Sequence, residues 1–299
     1  MSVNPMKALD LAKPSSLAAS PFWLATLAVA LIAIHLTLTW RIDNPSLQVS
    51  SLVFWATAAS LIWQRRHLLN LEASLGASLL GGGLLVLLLL KSSALTAQGA
   101  GLLLGYPFVA GLGLALVASG FKGLRQYWQE LTLLFFLGIP ELFLSSPLGT
   151  AVDPSLLTAH VAAILLWYGG YHVTQQGVFL YLPGGSVEVN PGCSGLVSMT
   201  QLLSLSVLFL MVLPLPWHWS RKLLLPLVAG TLGFLVNAVR VALLAIVVAQ
   251  GSATDFEYWH SGQGSHLFSA IAAGLFVLFV WATVHFSIIH PPDTEAPSN

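Results

Sequence analysis

The chain has 299 residues; 56% are hydrophobic, only 7% are charged, and the formal net charge is zero. A soluble protein of this length needs far more charge to cover its surface, so a soluble enzyme or binding module is excluded. With no basic cluster there is no footprint for nucleic acid, and no nucleic-acid partner is expected.

From the N-terminus, residues 1–20 are polar and mildly basic, with Lys7 and Lys13, and read as a cytoplasmic tail. The apolar run at 21–40 is longer than a signal-peptide core and lacks a cleavage site, so it reads as a retained first span. Further apolar runs fall at 47–63, 73–90, 101–120, 129–146, 155–172, 194–214, 223–249 and 264–289. Each is close to the ~20 residues that cross a bilayer core. The alternating ten-residue segments of a membrane β-barrel are missing, so the fold class is an all-α polytopic membrane protein.

Charge sets the topology. The basic loops are Arg65-Arg66-His67, Lys122 with Arg125, and Arg221-Lys222. If all face the cytoplasm, an even number of crossings separates Arg125 from Arg221. Three runs lie there, so one does not cross. The run 155–172 is short, contains Thr158 and His160, and ends at Gly169-Gly170; it is expected to lie at the interface or re-enter the membrane. About eight spans remain, with both termini cytoplasmic, including a tail at 290–299. The segment 147–193 and the loop 250–263 then lie on the outer side of a plasma (inner) membrane. The chain divides into N-terminal transmembrane helices at 21–120 and a membrane core at 121–289.

The outer segment carries VFLYLPGGSVEVNPGCSGLVSM, residues 178–199. Two β-prone runs flank Pro183-Gly184-Gly185 and predict a short extracytoplasmic hairpin. It leads to Cys193, the only cysteine, at the start of the next span. A helix N-terminus lowers a thiol pKa and favours the thiolate. A lone cysteine is equally a small hydrophobe that begins a helix.

The later spans hold two other exceptional features. Arg240 lies 18 residues beyond Lys222, about 27 Å along a helix, on the same side as Cys193. Asn237 shares its face. A charge at that depth needs a partner or a task, unless it snorkels to the interface. His260 stands in the outer loop before the last span, followed by Gly262 and Gly264, with His266 as the alternative histidine. Glu141, after Pro140 in the fifth span, is a candidate support for Arg240 or His260. His35, His160, His172 and His285 have no such company and read as structural. The glycine-rich runs in 76–83 and 99–113 read as close helix packing. No His-Glu-x-x-His occurs, so a metalloprotease is disfavoured; neither metal nor cofactor is expected.

Thiol, imidazole and guanidinium on one side of a membrane suit acyl transfer. Cys193 would attack a peptide carbonyl, with His260 as acid and base and Arg240 stabilising the oxyanion or holding substrate. At these residues the chain resembles the exosortase/archaeosortase family of membrane transpeptidases. The resemblance rests on Cys193-Ser194-Gly195-Leu196, Asn237-x-x-Arg240 and His260-x-x-x-Gly264-x-x-x-Phe268, in order, over about residues 120–289. Trp259-His260-x-Gly-x-Gly-Ser resembles the cyanobacterial branch, the cyanoexosortases. The resemblance implies an exosortase-like catalytic core at 121–289. It implies recognition of the C-terminal tails of secreted proteins, each with a Pro-Glu-Pro-like (PEP-CTERM) motif, one membrane helix and a basic cluster. Cleavage near the motif would pass the protein to an acceptor nucleophile that the sequence does not identify. Cys193, Arg240 and His260 take the family's catalytic positions. The rival reading is a transporter or a lipid- or polysaccharide-pathway membrane protein, with Arg240 and Glu141 in a polar path. The charge argument predicts that a reporter fused near Glu188 reads extracytoplasmic; a cytoplasmic reading overturns this topology.

Overall fold

A computed structural model describes residues 21–93, 100–144, 153–213 and 217–289. The two tails, 1–20 and 290–299, lie outside the described residues, as does the side assigned to the termini. The helices in chain order are α1 (Pro21–Arg41), α2 (Pro45–Arg65), α3 (Leu75–Ser93), α4 (Ala100–Gly123) and α5 (Trp128–Leu144). They continue with α6 (Ser155–Tyr168), α7 (Leu196–Val212), α8 (Trp219–Ala249), α9 (Ala253–His260) and α10 (Gln263–Ile289). Between α6 and α7 lie the strands β1 (Thr174–Gln176), β2 (Phe179–Leu182) and β3 (Gly185–Glu188).

Among the described residues, six stretches are long and apolar enough to cross a bilayer. The longest, Gly101–Leu144, has 44 residues, about twice what one crossing needs. It contains a reversal. Gly120 leaves helical geometry with φ 63°, and a short 3-10 turn, Leu124–Tyr127, precedes α5. Gly138 then lies against the backbone of Leu104, and Gly111 against Leu134, so α4 and α5 run antiparallel. The α7 helix has 17 residues, at the lower limit for a crossing. With the reversal and α7 included, eight helices among the described residues can cross, and two of them, α5 and α7, lie between Arg125 and Arg221, the even number that charge parity requires. The α6 helix has 14 residues, about 21 Å, which falls short of a ~30 Å core. Its stripe of Ala159, Ala162 and Leu166 packs on Val241, Ala242 and Ala245 of α8 and on Leu180 of β2.

The basic loops Arg65-Arg66, Lys122 with Arg125 and Arg221-Lys222 gather at one end of the bundle, while Arg41 and Lys91 close α1 and α3 at the other. Arg65 at the end of α2 pairs with both oxygens of Glu130 in the first turn of α5. Glu130 is only 3% exposed, so its charge needs this partner. Ser204 of α7 donates to the Phe136 carbonyl, and Leu208 packs on Leu133, so α5 and α7 are antiparallel. The start of α8, with Arg221 and Lys222, therefore sits at the Arg65 and Arg125 end. Its far end meets the sheet: Gly184 and Gly185 close on Ala249 and Val248. Cys193 lies at that end, opposite the basic loops.

Two local readings need correction. The predicted hairpin is a three-stranded antiparallel sheet in the order β1-β2-β3; β1, Thr174-Gln175-Gln176, is polar and lacks the apolar pattern of a strand. The presumed loop 250–263 contains the helix α9, whose Ser252 side chain accepts the Asp255 N–H as N-cap.

Small residues set the packing, because lipid leaves helix association to backbone proximity. Gly81 of α3 and Gly113 of α4 face each other at contact, and Gly233 of α8 lies on Ser198 and Met199 of α7. A Cβ at Gly233 would stand 2.9 Å from the Ser198 carbonyl oxygen. The buried histidine His35 is also structural. Trp55 Nε1 donates to its Nδ1, its Nε2 faces the Leu103 carbonyl at 3.2 Å, and Tyr106 stacks on the ring. That arrangement fixes the neutral tautomer protonated at Nε2. Gly233→Leu is expected to force α7 off α8 at a cost of about 1–3 kcal/mol or more. Thermal unfolding in detergent checks this, with Gly82→Leu, where nothing lies within 4 Å, as the neutral comparison.

Candidate active site

Cys193 ends a 3-10 turn, Pro191–Cys193, that begins at Asn190. The Asn190 side chain accepts the Cys193 N–H at 3.1 Å, and Pro191 supplies a preset φ at the first position. The turn is tied down from two helices. Asn237 Nδ2 on α8 donates to the Cys193 carbonyl at 2.7 Å. Thr158 Oγ1 on α6 donates to the Ser194 carbonyl at 2.7 Å. Gly195 follows in the left-handed region at φ 94°, and a Cβ there would sit 3.0 Å from Asn237 Nδ2. Any side chain at 195 would be both strained and in collision with the asparagine. Ser194 is fully buried, and its hydroxyl donates to the Pro191 carbonyl at 2.7 Å. It holds the turn and does not face the cavity as a nucleophile would.

His260 is the last residue of α9. Phe256, one turn earlier, stacks on its ring with centroids 4.9 Å apart and planes at 12°. Arg240 Nη2 donates to the His260 carbonyl, while Nη1 reaches Asn237 Oδ1 at 3.5 Å. The result is a contact of 3.4 Å between Cys193 Sγ and His260 Nε2, within hydrogen-bond range for sulfur.

The electrostatics differ from the expectation for a helix-start cysteine. Cys193 lies three residues before α7, and its own N–H is occupied by Asn190. Burial pushes the thiol pKa up, and the Arg240 charge pulls it back down. Burial is the larger influence, so it opposes the thiolate that the Arg240 charge favours.

The remaining candidates sort clearly. His266 lies in the first turn of α10, half-buried, and makes no hydrogen bond to Cys193 among the described residues. Gly264 gives room to the Trp259 ring and the Tyr258 carbonyl; a Cβ would stand 2.6 Å from Trp259 Cε3. Glu141 on α5 bonds to Gln201 of α7. Among the described residues it has no ion pair with Arg240 and no bond to His260, so the two ends of the suggested polar path are not joined. No group of three metal-ligating side chains occurs among the described residues.

The sequence reading missed Asn190, Thr158 and Phe256. Asn190-Pro191 carried a cap-and-proline signature that could have located the turn. Phe256, four residues before His260, had helical spacing once α9 was recognised. Thr158 was visible only as a polar residue in an apolar run.

A cavity of about 240 Å³ opens over the pair. Cys193 and His260 line it together with Phe256, the apolar side chains Val241, Leu244 and Val248 of α8, and the continuous run Ser186–Asn190. A larger apolar cavity of about 480 Å³ lies among α1, α2, α4 and α5, with Glu130 and Arg66 in its lining.

The family model described as Transmembrane exosortase (Exosortase_EpsH) matches residues 40–277, which include every residue of this site. No curated protein and no solved structure matches the chain. Because Cys193 is the only cysteine, its titration can be read directly by alkylation. Arg240→Gln is expected to raise the thiol pKa further, moving the alkylation profile to higher pH and slowing labelling at pH 7.5. Arg240→Lys is expected to restore part of the rate, since it keeps the charge but cannot hold both Asn237 and His260 as a fork. An unchanged profile in Arg240→Gln would remove Arg240 from the thiol's environment.

Proposed function

The chain belongs to the transmembrane exosortase family, and from that premise we propose that it is a cysteine-dependent membrane transpeptidase. Its substrates in this reading are the C-terminal sorting tails of secreted proteins, of the Pro-Glu-Pro type. The observation that carries the proposal is the 3.4 Å contact between the lone thiol and His260 beneath an open cavity. The cavity lies at the bundle end opposite Arg65, Arg125 and Arg221. By the positive-inside rule this is the extracytoplasmic face of a plasma (inner) membrane. Secreted substrates are found on that face. The sequence Trp259-His260-x-Gly-x-Gly-Ser places the chain, within this reading, in the cyanobacterial branch.

The chemistry follows from the contact between thiol and imidazole. His260 Nε2 takes the thiol proton as Cys193 Sγ attacks the scissile carbonyl. The carbonyl oxygen becomes an oxyanion, and the nearby Arg240 charge stabilises it together with the departing thiolate character. His260 then returns the proton to the leaving amine, and the C–N bond breaks to give a thioester on Cys193. A water, amine or hydroxyl acceptor, deprotonated by His260, attacks the thioester and releases the thiol. Arg240 has a second role: by holding the His260 carbonyl it fixes the end of α9, and so the imidazole, over the thiol.

The test is processing of a co-expressed, tagged secreted protein with a Pro-Glu-Pro-type tail, at equal membrane abundance of each variant. Cys193→Ala is expected to abolish tail cleavage. His260→Ala is expected to lower it about 10²–10⁴-fold, and Arg240→Ala about 10²-fold or more. His266→Ala is expected to cleave at nearly the wild-type rate. Cleavage that survives Cys193→Ala would sink the transpeptidase reading and favour a transporter or scaffold.

A further inference from the structure

The sheet beside Cys193 has one unpaired edge, and its hydrogen-bonding pattern can be read from the register. β2 and β3 pair antiparallel as Phe179↔Glu188, Leu180↔Val187, Tyr181↔Ser186 and Leu182↔Gly185. Beyond the strand, Val189 N–H donates to the Val178 carbonyl at 2.9 Å. In an antiparallel ladder, pairs that exchange hydrogen bonds alternate with pairs that do not. Counting back from Val189, Val187 and Gly185 point their backbone groups at β2. Ser186 and Glu188 therefore point their N–H and C=O away from β2, along the free edge. Neither has a backbone hydrogen bond to any other element among the described residues.

This edge faces the active-site cavity. Side chains of a strand alternate between faces, so a cavity on one face would meet every second residue. Here five consecutive residues, Ser186 to Asn190, line the same cavity as Cys193 and His260. That happens when the cavity runs along the edge. Its other wall is α8, which offers Val241, Leu244 and Val248 at one-turn spacings. We propose that the free edge of β3 receives the substrate as an added strand, with Ser186 and Glu188 hydrogen-bonding the backbone of an extended peptide segment. The occupant is a single extended polypeptide and not a second sheet, since α8 and α9 close the far side of the groove. Alternate side chains of that peptide would rest on the apolar α8 wall, while the chain beyond the paired residues passes over Cys193. Recognition by main chain gives grip without demanding a long sequence motif. The inference rests on the peptide-cleaving reading above for the identity of the peptide.

Proline removes one backbone N–H, and an edge strand accepts it where that N–H points away from its partner. Glu188→Pro and Ser186→Pro therefore remove an edge donor and leave the β2 ladder intact. Val187→Pro removes a ladder donor and serves as the disrupted comparison; Glu188→Ala and Ser186→Ala control for the side chains. Two readouts are taken: kcat/KM for tail cleavage, and protection of Cys193 from iodoacetamide by a synthetic peptide spanning the Pro-Glu-Pro motif. The iodoacetamide rate without peptide reports that the site is intact. The expected result is a tenfold or greater loss of kcat/KM in each edge proline variant, a much smaller loss in the matching alanine variant, and an unchanged alkylation rate without peptide. Backbone N-methylation of the peptide provides a second test that needs no variant: protection should fall at alternate positions only.

The outcomes separate the two claims. Wild-type cleavage that survives both proline changes, with no alternation in the N-methyl series, overturns edge pairing and leaves the transpeptidase reading. A wild type that does not cleave, but whose thiol is protected by peptide and exposed again in Glu188→Pro, keeps the edge and removes the cleavage reading. Neither cleavage nor protection overturns both.

Discussion

One helix holds both the thiol and the imidazole of the candidate site by their backbones. Asn237 donates to the carbonyl of Cys193, and Arg240 donates to the carbonyl of His260. The two side chains are three residues apart on α8, neighbours on one face at about 5–6 Å. That spacing is transmitted to the carbonyls they hold, and from there to the 3.4 Å between sulfur and imidazole. Asn237 and Arg240 are also in contact with each other, so the two tethers are not independent. A cation at this depth is costly in a membrane protein. Here a carbonyl and an amide oxygen replace part of its lost hydration.

The rest of the site end can be understood as what keeps α8 and its two tethers in place. At 31 residues α8 is about 46 Å long, more than a bilayer core requires, and its last turns carry the sheet on one side and α6 on another. Gly184 and Gly185 let the sheet approach the Val248 and Ala249 backbone to contact distance. Ala159 and Ala162 bring α6 close enough for Thr158 to reach the Ser194 carbonyl. At the opposite end the Arg65–Glu130 pair joins α2 to α5. Each fastening uses a small residue or a satisfied polar pair, because apolar area alone does little to join helices surrounded by lipid.

How much of this was legible in the sequence depended on which force dominated at each place. Spans announce themselves, since twenty apolar residues have few other stable settings, and the parity of Arg125 and Arg221 requires one of three runs not to cross, of which α6, at 14 residues, is the shortest helix. Asn237 and Arg240 were visible as polar residues on one face of an apolar helix. The sequence could not reveal what they hold, because both partners are carbonyls, which every residue has. β1 was hidden for a related reason: Thr174, Gln175 and Gln176 join the sheet through backbone pairing, with no apolar face of their own. α9 was hidden by its length and polarity. Glu130, in the first turn of α5, is set apart only by its burial against Arg65.

Burial and Arg240 act on the Cys193 thiol in opposite directions. A thiolate stabilised in advance by a helix terminus would be a standing target for oxidants on an exposed face of the membrane. Burial opposes ionisation, and Arg240 offsets only part of that effect. In the proposed mechanism the proton passes to His260 as negative charge passes on to a bound carbonyl. Both transfers depend on the tethers of α8, one on each reacting residue. A substitution that loosens either tether changes geometry and ionisation together, so Arg240 belongs at once to the architecture of the pair and to its chemistry.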